Sequence, residues 1–273
     1  MSWIRVSRKK PCPICQAYDW CSVSEDGAVA ICMREPSDRE CKSGGWVHTI
    51  NESIGRKFCK MFTSSKEPKI KPEEWHKKMM YYCAGMTLTD WQLISQNLGI
   101  APMALQRYFV GKYPCDRPAF TFPMWTGLGK LCGIRIRDLQ GAKWSVKGSR
   151  NGLFIPTVLT GQSPLIIVEG GTDAAALTAL DFDTIGRFMC YGGYEDIKIF
   201  LKKNPYDRVV IMSDNDKPHY RQDGSVYFPG QEGAAKLSEQ LGGLQVVKPP
   251  LKDMRAWFNK GATRQDVLEL ING

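Results

Sequence analysis

Two apolar stretches that end in acidic residues decide the fold of this chain: LIIVEGGTD (residues 165–173) and RVVIMSDND (residues 208–216). Each begins with a short, continuous apolar run, which is the pattern of a strand covered on both faces of a sheet. Helical periodicity follows each run, as expected for parallel strands joined by helices. Because the carboxyl ends of parallel strands meet at one edge of an open sheet, the acids are predicted to lie where such sheets bind ligands.

The alternation of strands and helices continues to the end of the chain. Strands are predicted at 165–168, 184–190, 208–212 and 244–247, and helices at 172–180, 195–202, 231–241 and 254–260. The C-terminal part, residues 161–273, is therefore predicted to be an α/β domain with a parallel sheet.

The acidic residues at the strand ends form a candidate site for divalent cations. Asp214 and Asp216 are two positions apart and project to the same side if the chain stays extended, so their mutual repulsion favours a bound cation. Carboxylate oxygens suit Mg²⁺ or Mn²⁺, which also bind substrate phosphates. Gly170 allows a tight turn that keeps Glu169 facing this edge. Asp173 either joins the cluster or is an ordinary charge in the first turn of a helix, and the sequence leaves both interpretations open.

The first 60 residues contain six of the ten cysteines and are predicted to form a small β module. A Cys-x-x-Cys knuckle and a hairpin with its turn at 25–27 would bring four sulfurs together. The predicted ligands of a structural Zn²⁺ are Cys12, Cys15, Cys21 and Cys32. Cys41 or His48 could replace Cys21 as the fourth ligand, and buried free thiols are the alternative to a metal site.

The positive charge of the chain is concentrated in its middle part. Residues 102–160 have nine Lys and Arg against two Asp, whereas residues 161–273 have 13 basic against 15 acidic residues. Arg135 and Arg137 alternate to one face of a predicted strand, an arrangement suited to phosphates of a nucleic acid. Lys143 and Lys147 follow in the same basic region. The alternative is a solvated sheet face without a ligand.

Length and composition exclude several classes of protein. The chain has 273 residues, 43% of them hydrophobic, which is enough for a packed core and too many for a disordered chain. No apolar run reaches the ~18 residues of a membrane span, so no membrane partner and a cytoplasmic location are expected. We predict a zinc-ribbon module at 1–60, a linker at 61–72, a mixed α+β basic subdomain at 73–160 and the α/β domain at 161–273.

The pattern of one Glu after a strand and an Asp-x-Asp after a later strand resembles the TOPRIM domain of topoisomerases, primases and some nucleases. The resemblance covers about residues 164–260. Lys252 and Asp253, after the last strand, look like the later acidic motif of the primase branch, although this chain has one acid there instead of two. In the order of its parts, the whole chain resembles a stand-alone DNA primase of bacterial, phage or mobile-element type.

This resemblance implies a nucleotidyltransferase that makes primers on a single-stranded DNA template from nucleoside triphosphates. Asp214 and Asp216 would hold the catalytic ions, with Asp173 and Asp253 as further candidate ligands, and Glu169 would complete the ligand set or relay a proton. The implied contacts to nucleic acid or nucleotide are Arg135, Arg137, Lys143, Lys147 and Lys252. A metal-dependent TOPRIM nuclease and a non-catalytic adaptor for single strands are the alternatives. The sequence has no Walker A loop, so a replicative helicase partner would be a separate chain.

Overall fold

The computed structural model describes residues 2–35, 37, 39, 41, 45–51, 72–220 and 224–273. The predicted linker at 61–72 lies outside the described residues except for its last residue. The chain divides into two compact units. The small unit comprises Met1–Glu67 and Lys217–Pro229, and the large unit comprises Pro68–Asp216 and Gly230–Gly273.

Strands and helices are numbered in chain order. The strands are β1 (Trp3–Arg5), β2 (Ser22–Ser24), β3 (Val29–Cys32), β4 (Trp46–Thr49), β5 (Gly111–Lys112), β6 (Ala119–Trp125), β7 (Leu131–Asp138), β8 (Lys143–Ser145), β9 (Leu153–Phe154), β10 (Leu165–Glu169), β11 (Thr184–Arg187), β12 (Val209–Met212), β13 (His219–Tyr220), β14 (Val226–Tyr227) and β15 (Gln245–Val247). The helices are α1 (Pro72–Ala84), α2 (Leu88–Leu98), α3 (Pro102–Gln106), α4 (Gly171–Ala179), α5 (Tyr194–Lys203), α6 (Pro229–Gln240), α7 (Met254–Phe258) and α8 (Arg264–Asn272).

The small unit contains an antiparallel sheet in the order β1-β2-β3-β4 and the separate hairpin β13-β14. The predicted hairpin turn lies between β2 and β3. There the carboxylate of Asp26 accepts hydrogen bonds from the Ser24 hydroxyl (2.6 Å) and the Ala28 amide (3.0 Å). Gly27 adopts a φ of 71°, a backbone conformation that residues with a side chain rarely adopt.

The large unit is built on one sheet with the order β15-β12-β10-β11-β9-β6-β7-β8, and β5 pairs with β6. The strands β15, β12, β10 and β11 pair in parallel, as the sequence predicts for the α/β domain. The other pairs in this sheet are antiparallel. The strands of the predicted basic subdomain therefore extend the parallel sheet, because β9 pairs with both β11 and β6.

Alternate side chains of β10 pack into different cores on the two faces of the large sheet. Ile166 and Val168 belong to a core with α2, α3, α4 and α8, whereas Leu165 and Ile167 belong to a second core with α5 and α6. Each buried side chain of this size contributes about 1.5–3 kcal/mol. Both faces of the strand are covered, so positions 165–168 are all apolar, and this explains the continuous run in the sequence.

Candidate functional site

The small unit contains a cluster of four buried cysteines with the geometry of a metal site. The ligand atoms of Cys12, Cys15, Cys21 and Cys32 all lie within 4.8 Å of one another. The Sγ atoms of Cys15 and Cys21 are 3.7 Å apart. Tetrahedral zinc with sulfur ligands at ~2.3 Å requires sulfur atoms about 3.8 Å apart, so the cluster fits a structural zinc ion.

Hydrogen-bond donors around the cluster favour the thiolate form of its cysteines. The amide of Met33 donates to Sγ of Cys21 (3.3 Å), and the amide of Glu35 donates to Sγ of Cys32 (3.2 Å). The guanidinium of Arg34 lies 3.6 Å from Sγ of Cys21. Four thiolates around one zinc carry a net negative charge, which these donors partly offset.

The two alternative ligands named from the sequence lie outside the cluster. Nε2 of His48 is 2.9 Å from the carbonyl oxygen of Glu35. Cys41 packs against a separate apolar group that includes Ala28 and Val47. The structure thus brings Cys21, rather than either alternative, into the group of four.

Tyr227 of β14 completes the packing around the cysteines, and the sequence reasoning did not predict it. Its ring is fully buried beside the cluster and lies 5.2 Å from the guanidinium of Arg34. Its hydroxyl donates to the carboxylate of Asp19 (3.3 Å), which also pairs with Arg34. The Asp223-Gly224 pair, which lies between Tyr220 and Val226, is a hairpin signal that could have revealed this segment.

In the large unit, the predicted acids lie at the carboxyl ends of parallel strands. Glu169 is the last residue of β10, and Asp214 and Asp216 follow β12. The loop after β12 is fixed to the chain after β15, because the amide of Asn215 donates to the Lys252 carbonyl (2.7 Å).

Gly230, in the first turn of α6, holds the second aspartate of this loop. Its amide donates to Oδ2 of Asp216 (2.7 Å). A Cβ atom at Gly230 would lie 2.9 Å from that oxygen and 3.0 Å from Cβ of Asp214. The close approach requires glycine, and the sequence pattern alone did not indicate this role.

Burial and mutual repulsion perturb the carboxyl groups of this edge. Burial, and next the charge of Glu169, raises the pKa of Asp214 to about 9. Burial, and next the charge of Asp253, raises the pKa of Asp173 to about 6. Burial also raises the pKa of Glu169, against the opposing charge of Arg187. These acids therefore act on one another, and a cation bound among them would relieve the repulsion.

The acids do not form a compact ligand cage by themselves. Across the described ranges, the four cysteines are the one group of three or more Cys, His, Asp or Glu residues with all ligand atoms within 4.8 Å. Glu169, Asp214 and Asp216 thus lie at one edge and interact electrostatically, but their carboxylate oxygens do not all lie within 4.8 Å of one another. Such an open arrangement suits Mg²⁺, which retains waters and binds through few carboxylates.

Asp173 and Asp253, the two further candidate ligands, both contact helix α7. Oδ1 of Asp173 accepts a hydrogen bond from the amide of Arg255 (2.9 Å). Asp253 is the N-cap of α7, and its Oδ1 accepts from the amide of Ala256 (2.7 Å). Each carboxylate therefore has a structural partner, and its other oxygen is not used in these backbone hydrogen bonds.

Basic side chains lie near the acidic edge. Arg137 on β7 is directly opposite Lys143 on β8, so the two share one face of the sheet. Lys143 is exposed. The surrounding protein, and next the charge of Arg137, lower the pKa of Lys143. The charges of Asp173 and Glu169 act in the opposite direction and raise this pKa. Its ammonium group is thus within electrostatic reach of the acids.

The remaining basic candidates differ in their surroundings. The guanidinium of Arg135 lies 4.3 Å from the ring centre of Phe188, and burial lowers its pKa to about 10. Lys147 and Lys252 are exposed. Among the described helices, none has the length and apolar character needed to span a bilayer.

Comparisons with known proteins found similarity in structure alone. No protein-family model matches the chain. No curated protein matches it either.

Three solved structures are similar over most of the chain. The DnaG primase catalytic domain bound to single-stranded DNA has a TM-score of 0.55 at 13% identity and covers 73% of this chain and 79% of its own. The RNA polymerase domain of Mycobacterium tuberculosis primase DnaG has a TM-score of 0.55 at 12% identity and covers 74% and 82%. The zinc-binding and RNA polymerase domains of Aquifex aeolicus primase have a TM-score of 0.54 at 14% identity and cover 96% and 77%.

These similarities agree with the predicted mixed α/β architecture and with the cysteine cluster in the N-terminal part. At such identities they establish the fold. The chain therefore has the fold of the zinc-binding and catalytic domains of DnaG-type primases.

Proposed function

We propose that this chain is a DNA primase, which synthesises short primers on single-stranded DNA by metal-dependent nucleotidyl transfer. The observation that carries the proposal is the placement of Glu169, Asp214 and Asp216 at the carboxyl edge of parallel strands in a DnaG-type fold. Basic side chains beside this edge, including Lys143, support a polyanionic substrate.

Mg²⁺ or Mn²⁺ fits the acidic edge, because its carboxylates repel one another in a partly buried setting. Glu169, Asp214 and Asp216 would hold the ions, with Asp173 and Asp253 as further candidates. When bound, the ions neutralise the charge of the triphosphate and of the leaving pyrophosphate.

The protein's own groups would position the reactants. Lys143 and Arg137 would bind phosphates of the nucleotide or template beside the acids, with Arg135, Lys147 and Lys252 as outer contacts. The hydrogen bond from the Gly230 amide would orient Asp216. Glu169 would complete the ligand set or relay a proton from the attacking hydroxyl. Fixed positions of this kind account for most of the catalysis in phosphoryl transfer.

The remaining parts would serve the template. We assign residues 1–60 as a zinc-ribbon module, with zinc held by the four cysteines, and residues 73–160 as a basic subdomain that binds single-stranded DNA before the catalytic domain at 161–273. One structural neighbour is described as bound to single-stranded DNA, which supports this substrate class. Association with a separate replicative helicase stays a prediction from the sequence.

The direct test is to incubate the full chain with single-stranded DNA, labelled nucleoside triphosphates and Mg²⁺, and to resolve the products on a sequencing gel. We expect short labelled oligonucleotides from the wild-type chain. Asp214→Asn should reduce product at least about 100-fold, because an electrostatic contact to the transition state is typically worth 10²–10³ in rate.

Binding and control measurements make this test specific. Fluorescence anisotropy should give the same template affinity for Asp214→Asn as for the wild-type chain. The matched control is Glu239→Gln, an exposed acid of α6, which should keep full activity. Strand scission without nucleotides would indicate the nuclease instead, and tight template binding without any Mg²⁺-dependent product would indicate the adaptor.

A further inference from the structure

Arg187, the last residue of β11, is a buried cation at the acidic edge. Its side chain is 1% exposed. In the parallel pair of β10 and β11 it is the direct partner of Glu169, so the two side chains project from the same face about 5 Å apart at the backbone. A guanidinium in such a position is costly unless nearby charge and hydrogen bonds compensate it.

Hydrogen bonds to the backbone account for only part of that compensation. Nη1 of Arg187 donates to the carbonyls of Cys190 (2.7 Å) and Gly233 (3.4 Å). Its Nε is buried and has no hydrogen-bond partner among the residues that the structure describes. Two neutral carbonyls thus hold the side chain in place and leave its positive charge to be balanced by other groups.

The acids of the candidate metal site oppose the cost of burying this charge. The carboxylates of Glu169 and Asp214 both act on the guanidinium and oppose the effect of its burial. In return, Arg187 opposes the burial effect on Glu169. The backbone hydrogen bonds fix the guanidinium in a position that is closed off from solvent.

We propose that Arg187 is a positioning residue, a fixed internal counter-charge that orients Glu169 at the sheet edge before any divalent cation binds. This role deepens the proposed function, and it rests on that function for the identity of the reaction. Without Arg187, the Glu169 carboxylate would lose the cation that lies opposite it in the pair of β10 and β11. With it, the edge is assembled when ions and nucleotide arrive, so less reorganisation is needed at the reacting groups.

The test is a double-mutant cycle of stability that uses no substrate. Thermal midpoints of the full chain are measured for wild type, Arg187→Met, Glu169→Gln and the double variant, in buffer treated with a resin that removes added divalent ions. We expect Arg187→Met to lower the midpoint by several degrees, because it leaves the buried carboxylate of Glu169 without its opposing cation. Adding Glu169→Gln should restore about half of that loss or more, because the uncompensated charge is then removed.

A purely structural role gives a different result. If Arg187 only ties the carbonyls of Cys190 and Gly233, the two substitutions have additive effects and Glu169→Gln restores nothing, which would overturn the proposal. The matched control is Arg208, which donates to the carbonyl of Ile271 (2.7 Å) at the start of β12. Arg208→Met should be additive with Glu169→Gln.

Two further measurements keep the test decisive. If Arg187→Met does not fold, a folded double variant supports the proposal and an unfolded one contradicts it. Added Mg²⁺ should raise the midpoint of Arg187→Met more than that of wild type, because its acids gain more from a cation; an equal rise counts against the proposal. Primer synthesis plays no part in this cycle, so failure of the proposed function and failure of this inference are distinguishable.

Discussion

At the scale of single residues, the acidic edge depends on partners that hold each carboxylate. Glu169 lies beside Arg187, and Asp216 accepts the amide of Gly230. The carboxyl groups at this edge titrate as a coupled set, because the charge of each one shifts the pKa of the others. Two predictions belong to this scale, one on close packing and one on pH.

We predict that Gly230→Ala lowers primer synthesis at least about tenfold, because displacing reactive groups by about 1 Å can cost ~10²-fold. The added Cβ would lie 2.9 Å from Oδ2 of Asp216, so the loop must shift. Initial rates of primer synthesis measure the effect. Gly85→Ala is the control, because its Cβ would meet neighbours at 3.5 Å or more. Equal rates for the two variants would show that the loop tolerates the shift.

We predict that divalent cations bind more tightly to the acidic edge as the pH rises from 6 towards 9, because the pKa of Asp214 is raised to about 9 by burial and then by Glu169. A proton on this carboxyl competes with the cation for the same oxygens. In the metal-free protein this carboxyl stabilises the fold most below its ordinary pKa of 3.8, and the contribution is lost as the pH rises through about 9.

Calorimetric titration with Mg²⁺ in two buffers of different ionisation enthalpy measures both the affinity and the protons released. Asp214→Asn should flatten the pH dependence and reduce the proton release. A pH-independent affinity in the wild-type chain would contradict the prediction.

At the scale of elements, helix α7 joins the loop after β15 to helix α4. Asp253 caps α7, and the amide of Arg255 donates to Asp173 on α4. One short helix thereby connects two of the candidate acids. A capping role and a metal-binding role for Asp253 are separable, since asparagine replaces aspartate as a cap but is a poor ligand for Mg²⁺.

We predict that Asp253→Ala lowers the free energy of unfolding by about 1 kcal/mol through loss of the cap, and that Asp253→Asn stays within a few tenths of the wild type. Urea denaturation of the full chain measures both values. Comparable losses in the two variants would mean that the charge, rather than the cap, stabilises this helix. A metal-binding role would appear separately, as reduced primer synthesis in the stable Asp253→Asn variant.

At the scale of the whole molecule, each unit is assembled from segments that are distant in sequence. The strands β13 and β14 belong to the small unit although they follow Asp216 in the chain. In the large unit, the antiparallel strands from 111 to 154 extend the parallel sheet through β9. The small unit's cysteine cluster depends on this arrangement, because Tyr227 packs against it.

We predict that Tyr227→Ala releases zinc at least about tenfold faster than wild type, a factor that corresponds to ~1.4 kcal/mol. The substitution opens the core beside the cysteines and removes the hydroxyl that donates to Asp19. Transfer of zinc to a chromogenic chelator measures the rate. Tyr220→Ala on the same hairpin is the control, because Tyr220 is 57% exposed. Identical rates in both variants would contradict a role for Tyr227 in retaining the metal.

The sequence by itself determined the parallel strands, the acids at their ends and a cysteine cluster in the small unit, and only the structure selected Cys21 over Cys41 and His48 as its fourth member. These features are local: apolar runs, strand ends and cysteine spacing are properties of short stretches of chain. Only the tertiary structure decided that β9 joins two parts of one sheet, that Gly230 contacts Asp216, that Arg187 lies beside Glu169 and that Tyr227 packs on the cysteines. The physical reason is that each of these contacts joins residues far apart in the chain, and no short-range periodicity encodes such a pairing.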